Sequence, residues 1–160
     1  MSKSLKRVRA CLEAAGIAPD IRETVPARTA AEAATAIGCE IDQIAKSIIF
    51  AGETSGNALL FITAGGNRVD PERAANLAGE QLCKADAALI RQQTGFAIGG
   101  VAPLGHLTPP RGWFDARLLD FEVIWAAAGT PHHVFGLSPQ EIMRISGAQV
   151  AEFRSISKKM

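Results

Sequence analysis

Ser47-Ile-Ile-Phe-Ala51 and Leu59-Leu-Phe-Ile-Thr63, joined by Gly52-Glu-Thr-Ser-Gly-Asn57, decide how this chain folds. Two runs rich in β-branched and aromatic residues around a connector of turn-formers read as a β-hairpin. Working upstream, Ile41, Ile44 and Ala45 form a short helical turn that leads into Lys46. Before it, Thr29 followed by Glu32 makes a capping-box pattern ahead of Ala33, Ala34 and Ile37, and Gly38 closes that helix. Asp20 to Val25 is extended up to Pro26, and Leu5, Val8, Leu12 and Ala15 stand at helical spacing over residues 4–15 before Gly16. Downstream, Asp70-Pro71-Glu72 opens a helix to about Leu77, and Asp86 caps another to about Gln93. Trp113–Leu119, Glu122–Ala128 and His133–Leu137 read as strands, and Ser138-Pro-Gln-Glu141 starts a last helix to Ser146, ended by Gly147. The expected fold is α/β (α+β), one domain over residues 1–160, with a mixed, largely antiparallel sheet flanked by helices.

Composition narrows the function classes. The 160 residues are 48% hydrophobic and 21% charged, with a net charge of +1. No apolar run is long enough to span a bilayer. The basic start, Met1-Ser-Lys-Ser-Leu-Lys-Arg7, is not followed by a long apolar stretch, so no secretion signal is read and the cytoplasm is the expected compartment. Near-neutral charge argues against a protein held on duplex DNA by bulk electrostatics, while leaving room for one that grips an RNA end through few phosphates. Lys3, Lys6, Arg7 and Arg9, with Arg154, Lys158 and Lys159 at the other end, read first as solvated termini. Cys11, Cys39 and Cys83 match no zinc or disulfide pattern. Cys11 and Cys83 are expected as buried inert thiols in helical, apolar surroundings, and Cys39 as the more exposed one.

Four features carry chemistry. Gly95-Phe-Ala-Ile-Gly-Gly-Val-Ala-Pro-Leu-Gly-His106 is a glycine-rich loop of otherwise apolar residues, either a tight turn or a loop whose main-chain N–H groups face a small polar substrate. Lys46, opening a hydrophobic strand, either snorkels to the surface or meets a phosphate, carboxylate or carbonyl. In Ala64-Gly-Gly-Asn-Arg-Val-Asp70, Arg68 either pairs with Asp70 or holds a ligand phosphate. In Gly129-Thr-Pro-His-His133 the adjacent histidines point to opposite strand faces, so one faces the pocket and the other solvent, and a shared metal is not expected. No nucleophile elbow, Walker loop or HExxH is present. A hydrolase built from this inventory polarises a carbonyl with backbone amides and positions a water.

Taken in order, Thr29-Ala-Ala-Glu-Ala-Ala, Gln43-Ile-Ala-Lys-Ser-Ile-Ile-Phe50, Ala64–Asp70, Gly95–His106 and Trp125-Ala-Ala-Ala-Gly-Thr-Pro131 resemble the YbaK-type aminoacyl-tRNA deacylases. These are free-standing relatives of the editing domain inserted in bacterial prolyl-tRNA synthetases, and the similarity runs from about residue 20 to residue 150. The resemblance implies hydrolysis of the ester joining a wrong amino acid to the 3′ end of tRNA. It further implies Lys46, Gly99 and Gly100 as catalytic groups, with a water positioned partly by the tRNA ribose hydroxyl and neither metal nor cofactor. Thr29, Asn67, Arg68, Pro103, His106, Gly129, Thr130 and His132 are the implied substrate-binding residues. Implied partners are the acceptor end of misacylated tRNA and prolyl-tRNA synthetase. Gly129-Thr-Pro-His132 departs from the Gly-Lys-Arg-Gly-Leu-Asp pattern of the cysteine-removing branch. It looks closer to the branch acting on small aliphatic residues misattached to proline tRNA, and the implied substrate is proline tRNA carrying a small wrong amino acid such as Ala, Cys or 2-aminobutyrate. The alternative is a non-catalytic module of the same fold that binds a nucleotide, a nucleic acid or a synthetase.

Overall fold

The computed structural model describes residues 2–156. Helix α1 (Lys3–Ala14) starts where the Ser2 hydroxyl accepts the Leu5 amide, and it turns Leu5, Val8 and Leu12 inward. Strand β1 (Ile21–Glu23) follows, and then α2 (Ala30–Ile37), capped by the Thr29 hydroxyl on the Glu32 amide. The capping box is only half formed, because the Glu32 carboxylate accepts the Arg28 amide instead of that of Thr29. A 3-10 turn (Ile41–Gln43) feeds β2 (Ala45–Gly52), which pairs antiparallel with β3 (Ala58–Ala64) in the register Ser47 with Ile62 and Phe50 with Leu59. The expected hairpin is therefore present, with Lys46 inside its first strand.

The remaining elements are α3 (Pro71–Ala78), β4 (Leu82–Lys84), α4 (Ala87–Thr94), β5 (Arg111–Asp115), β6 (Ile124–Ala127), β7 (His133–Leu137), α5 (Pro139–Ser146) and β8 (Gln149–Ala151). They close two sheets, not one: β4-β2-β3-β5-β8, and the smaller β1-β7-β6. The pairs β3–β5 and β5–β8 are parallel and the others antiparallel, so the sheet system is mixed and largely antiparallel as expected. A parallel bridge from Ile44 to Trp125 joins the sheets at the entry to β2.

Strand β3 is buried along its whole length and divides the core by alternation. Leu60, Ile62 and Ala64 face Leu5, Val8, Leu12, Phe96 and Phe114. Leu59 and Phe61 face the other way, onto Ala74, Ala78, Trp113 and Phe153, with Phe61 stacked on Trp113 at 4.9 Å between ring centres. A third, smaller cluster of Ala34, Ile44 and Trp125 lies under α2, at the junction of the sheets.

Three expectations need correction. The strand expected over 113–119 stops at Asp115, because that carboxylate accepts the Arg117 amide and turns the chain into a 3-10 helix (Ala116–Asp120). Cys83 lies exposed on β4 instead of buried in a helix, while burial pushes the partly buried Cys11 and Cys39 thiols above the usual range. Among the N-terminal basic residues Lys3 and Lys6 are exposed as expected, but Arg7 is not simply solvated: its guanidinium donates to the carbonyls of Gly105 (2.7 Å) and Gly95 (3.0 Å). Lys158 and Lys159 lie outside the described residues. Among the described residues no helix is long and apolar enough to cross a membrane.

Candidate active site

The bridge between the sheets leaves a cavity of about 320 Å³ beside it. One wall is α2, whose Thr29 caps the helix while Ala30, Ala33 and Ile37 present small or apolar side chains. The floor is the start of β2, with Ile44 and Lys46; the far wall is Trp125, Ala126 and Ala127 of β6, with His133 and Val134 of β7. Two loops complete it, bringing Gly99 and Val101 from one side and Thr130 and Pro131 from the other. Alanines form much of the lining, so the free volume comes from side chains that stop at Cβ.

Lys46 is the cavity's ammonium. Its Nζ donates to the Asn67 carbonyl at 2.8 Å, which holds the amine at one place instead of letting it snorkel outward. Burial pushes this amine below the usual lysine range, Arg68 adds to the push, and Asp115 and Asp42 oppose it. The support behind it is extensive. Asn67 Nδ2 donates to Asp115 Oδ2 at 2.9 Å, and the same oxygen accepts the Ala64 amide at 3.0 Å. Asp115 Oδ1 accepts the Arg117 amide at 2.9 Å, and the Asp115 residue is only 4% exposed. Asp42 accepts the Gly66 amide and the Arg117 Nε, each at 2.8 Å. Burial works against the Asp42 carboxylate, but the Arg117 guanidinium and the Gly66 amide outweigh it and hold the group below the usual range. The result is a fixed cation beside an apolar cavity.

The glycine loop offers main-chain donors unevenly. Gly99 lines the cavity with φ at +89°, a conformation that suits glycine, and its amide has no hydrogen-bond partner among the described residues. The Gly100 amide is engaged in a turn with the Ala97 carbonyl at 3.0 Å. Gly100 serves in another way: a Cβ there would lie 2.8 Å from Thr130 Cα, so only glycine lets the two loops touch. Thr130 Oγ1 lies 2.7 Å from His133 Nδ1 and accepts the His132 amide at 3.1 Å.

The structure thus gathers Thr29, Lys46, Gly99 and Thr130 around one cavity, with Asn67 directly behind Lys46. Arg68 is exposed beside that lysine, and no ion pair with Asp70 forms; Asp70 instead caps α3. Pro103 is buried and does not line the cavity. His106 does not line the cavity: its Nε2 donates to the Ala102 carbonyl at 2.6 Å, its ring meets Phe96 edge to face, and burial pushes it below the usual histidine range. Gly129 packs behind the loop, where its carbonyl accepts the Ser4 hydroxyl at 2.7 Å. Of the two histidines, His133 faces the cavity and His132 is exposed. No group of three or more His, Cys, Asp or Glu suited to a metal ion occurs among the described residues.

Sequence reading missed Asp115, Asp42 and Arg117, whose roles depend on contacts across 24 to 75 positions of chain. The one local hint is an acid ending the apolar strand Arg111–Asp115.

Comparison with known proteins agrees with this geometry. Residues 24–145 match the model of the aminoacyl-tRNA editing domain. A protein of Bacillus subtilis (strain 168) known as YwhH, itself uncharacterised, is 30% identical over 148 residues, covering 92% of this chain and 94% of that one. Among solved structures, a candidate trans-editing enzyme for prolyl-tRNA synthetase superposes with a TM-score of 0.88 at 44% identity, over 97% of this chain and 99% of that one. A scaffold used for computational grafting of linear epitopes gives 0.89 at 42% identity, over 98% and 100% of the respective chains. With the match spanning the cavity, Lys46 and both loops, the chain belongs to the aminoacyl-tRNA editing domain family.

Proposed function

We propose that this protein is a trans-editing deacylase of the cytoplasm that hydrolyses the ester between a small wrong amino acid and the 3′ end of tRNA, foremost proline tRNA carrying Ala, Cys or 2-aminobutyrate. The observation that carries the reading is the pairing of Lys46 and Gly99 on one small cavity inside the family-matched segment. Water attacks the ester carbonyl carbon, and negative charge develops on the carbonyl oxygen. The C–O bond then breaks, and the ribose oxygen leaves as a hydroxyl with a proton that the water gives up. The unpartnered Gly99 amide and the Lys46 ammonium are the groups suited to that oxyanion, the ammonium being held in place before the reaction by the Asn67 carbonyl. Gly100 acts through the close loop contact with Thr130, not through its own amide. The alanine-rich wall leaves room for a short side chain beside the terminal ribose, and exposed Arg68 is available to a phosphate. Such a site needs no cofactor.

The test is single-turnover release from tRNA charged with Ala, Cys, Ser, Thr, 2-aminobutyrate and Pro, with Lys46→Met as the altered enzyme. Removing one oxyanion donor lowers rates by about 10²–10³-fold, and that loss is expected for Lys46→Met on the small substrates. Wild-type protein that binds these tRNAs but releases no amino acid would overturn the deacylase reading in favour of a binding module.

A further inference from the structure

The two loops that carry Gly99 and Thr130 are closed at their ends by main-chain bonds, from the Leu107 and Thr108 amides to the Thr94 and Gln93 carbonyls and from the Ala128 amide to the His133 carbonyl, and α1 grips both of them from outside. Arg7, on α1, donates Nε to the Gly105 carbonyl at 2.7 Å and Nη2 to the Gly95 carbonyl at 3.0 Å. Its guanidinium also lies 4.6 Å from the centre of the Phe96 ring. One side chain therefore grips both ends of the glycine loop. Ser4, one turn earlier on the same helix, donates Oγ to the Gly129 carbonyl at 2.7 Å, which pins the second loop. The approach there is close: a Cβ on Gly129 would lie 2.8 Å from the Ser4 carbonyl oxygen. Leu5 and Val8, buried between and beside these two residues, anchor the helix in the core. Gly100 packs directly on Thr130, so the two loops that α1 grips are also in contact with each other.

We propose that α1, through Ser4 and Arg7, is a positioning element of the editing site that sets the spacing between the Gly99 loop and the Thr130 loop. This rests on the deacylase reading for its consequence, though not for its geometry. Neither residue touches the cavity, and both lie outside the segment 24–145 that matches the family model. Arginine suits the task because a planar fork reaches two carbonyls at once, whereas a lysine reaches one as a point charge. Displacing a reacting group by about 1 Å costs on the order of 10²-fold in rate, so the expected effect falls on turnover and not on tRNA binding.

The experiment uses the full chain with Arg7→Met and Arg7→Lys, measured well below each variant's unfolding temperature. Arg7→Met is expected to lower kcat by about 10- to 100-fold with KM within about twofold. Arg7→Lys should recover part of the loss, and millimolar guanidinium should recover part of it in Arg7→Met. Amide hydrogen exchange in residues 95–106 and 129–131 should quicken in Arg7→Met while β3 stays protected. Unchanged kcat and exchange in folded Arg7→Met, or a raised KM at unchanged kcat, would overturn the proposal. If Arg7→Met does not fold, Ser4→Ala decides: a kcat several-fold lower supports it, and an unchanged one overturns it. Wild-type protein that releases no amino acid would sink the deacylase reading alone, and the exchange measurement would still judge the positioning role.

Discussion

Replacing Asp115 by Asn changes almost no volume and tests the support of the site directly. The carboxylate accepts three donors, the Ala64 amide at 3.0 Å and the Asn67 side-chain and Arg117 amides at 2.9 Å each. Asparagine offers one oxygen and one NH2 group, so in its better orientation the oxygen keeps Ala64 and Asn67 and the NH2 faces the Arg117 N–H. One charge-assisted bond is then lost, worth about 1.5–3 kcal/mol, and the other two become neutral–neutral bonds of about half the strength. Relief from burying a charge offsets part of this, and the net loss comes to about 3 kcal/mol. For a chain of this size, about 2–4 °C per kcal/mol converts that into a Tm lower by about 6–12 °C. Asp20→Asn is the contrast, since its pairing with Arg22 at 3.1 Å is exposed on both sides and worth less than about 1 kcal/mol. Scanning calorimetry reads both variants. Asp115→Asn also removes a charge that favours the Lys46 ammonium, so the alkaline limb of the deacylation profile should move to lower pH. A Tm within about 2 °C of wild type, with that limb unmoved, would refute the reasoning about this network.

In the wild type, Lys46 already sits below the usual lysine range, so activity that needs its ammonium is present below that depressed value and fades as pH rises through it. A pH–rate profile should therefore fall on the alkaline side earlier than an ordinary lysine would allow, and Lys46→Met should lack that limb. His106 is likewise depressed by burial, so the unfolded chain takes up a proton before the folded one does. Stability should then be lost as pH falls from the ordinary histidine value through the folded one, and urea midpoints should show that slope diminished in His106→Gln. Gly129→Ala should destabilise the protein by about 2 kcal/mol, because φ is +95° and the new Cβ would meet the Ser4 carbonyl at 2.8 Å; a chemical melt checks it.

How much of this was legible before any coordinates depended on whether the cause was local. The hairpin around residues 52–57 and the caps at Thr29, Asp70, Asp86 and Ser138 are decided by neighbours in sequence, and all of them form. Strands β4 and β8, three residues each at the sheet edges, are too short to show a period and were not anticipated. Of the residues that line the cavity, Lys46 and the loop of Gly99 stood out by residue type in context, whereas Thr29 and Thr130 came only from the family resemblance. Choosing His133 over His132 was not, because alternation says that the two faces differ without saying which one is inside. Asp115 looked like the middle of a strand, and its burial is a product of β3, β5 and the turn at Asn67 meeting.

Arg7 makes the sharpest case for why charge placement resists sequence reading. A basic residue near a terminus is ordinarily solvated, and nothing around Arg7 in the chain says otherwise. Its partners are carbonyls at Gly95 and Gly105, groups that every residue possesses and that no composition can flag. The glycines supply the complementary half of the contact by keeping side chains out of the way, so a Gly-rich loop that reads as substrate-facing is, on its reverse side, also a docking strip for α1. The same loop therefore answers to two demands at once: a cavity-lining Gly99 whose amide is unpartnered, and bare carbonyls at its ends toward the helix. A substitution in the loop that spares the cavity can still lower turnover through the second demand, which is why activity losses there should be sorted by kcat against KM before any residue is assigned to the chemistry.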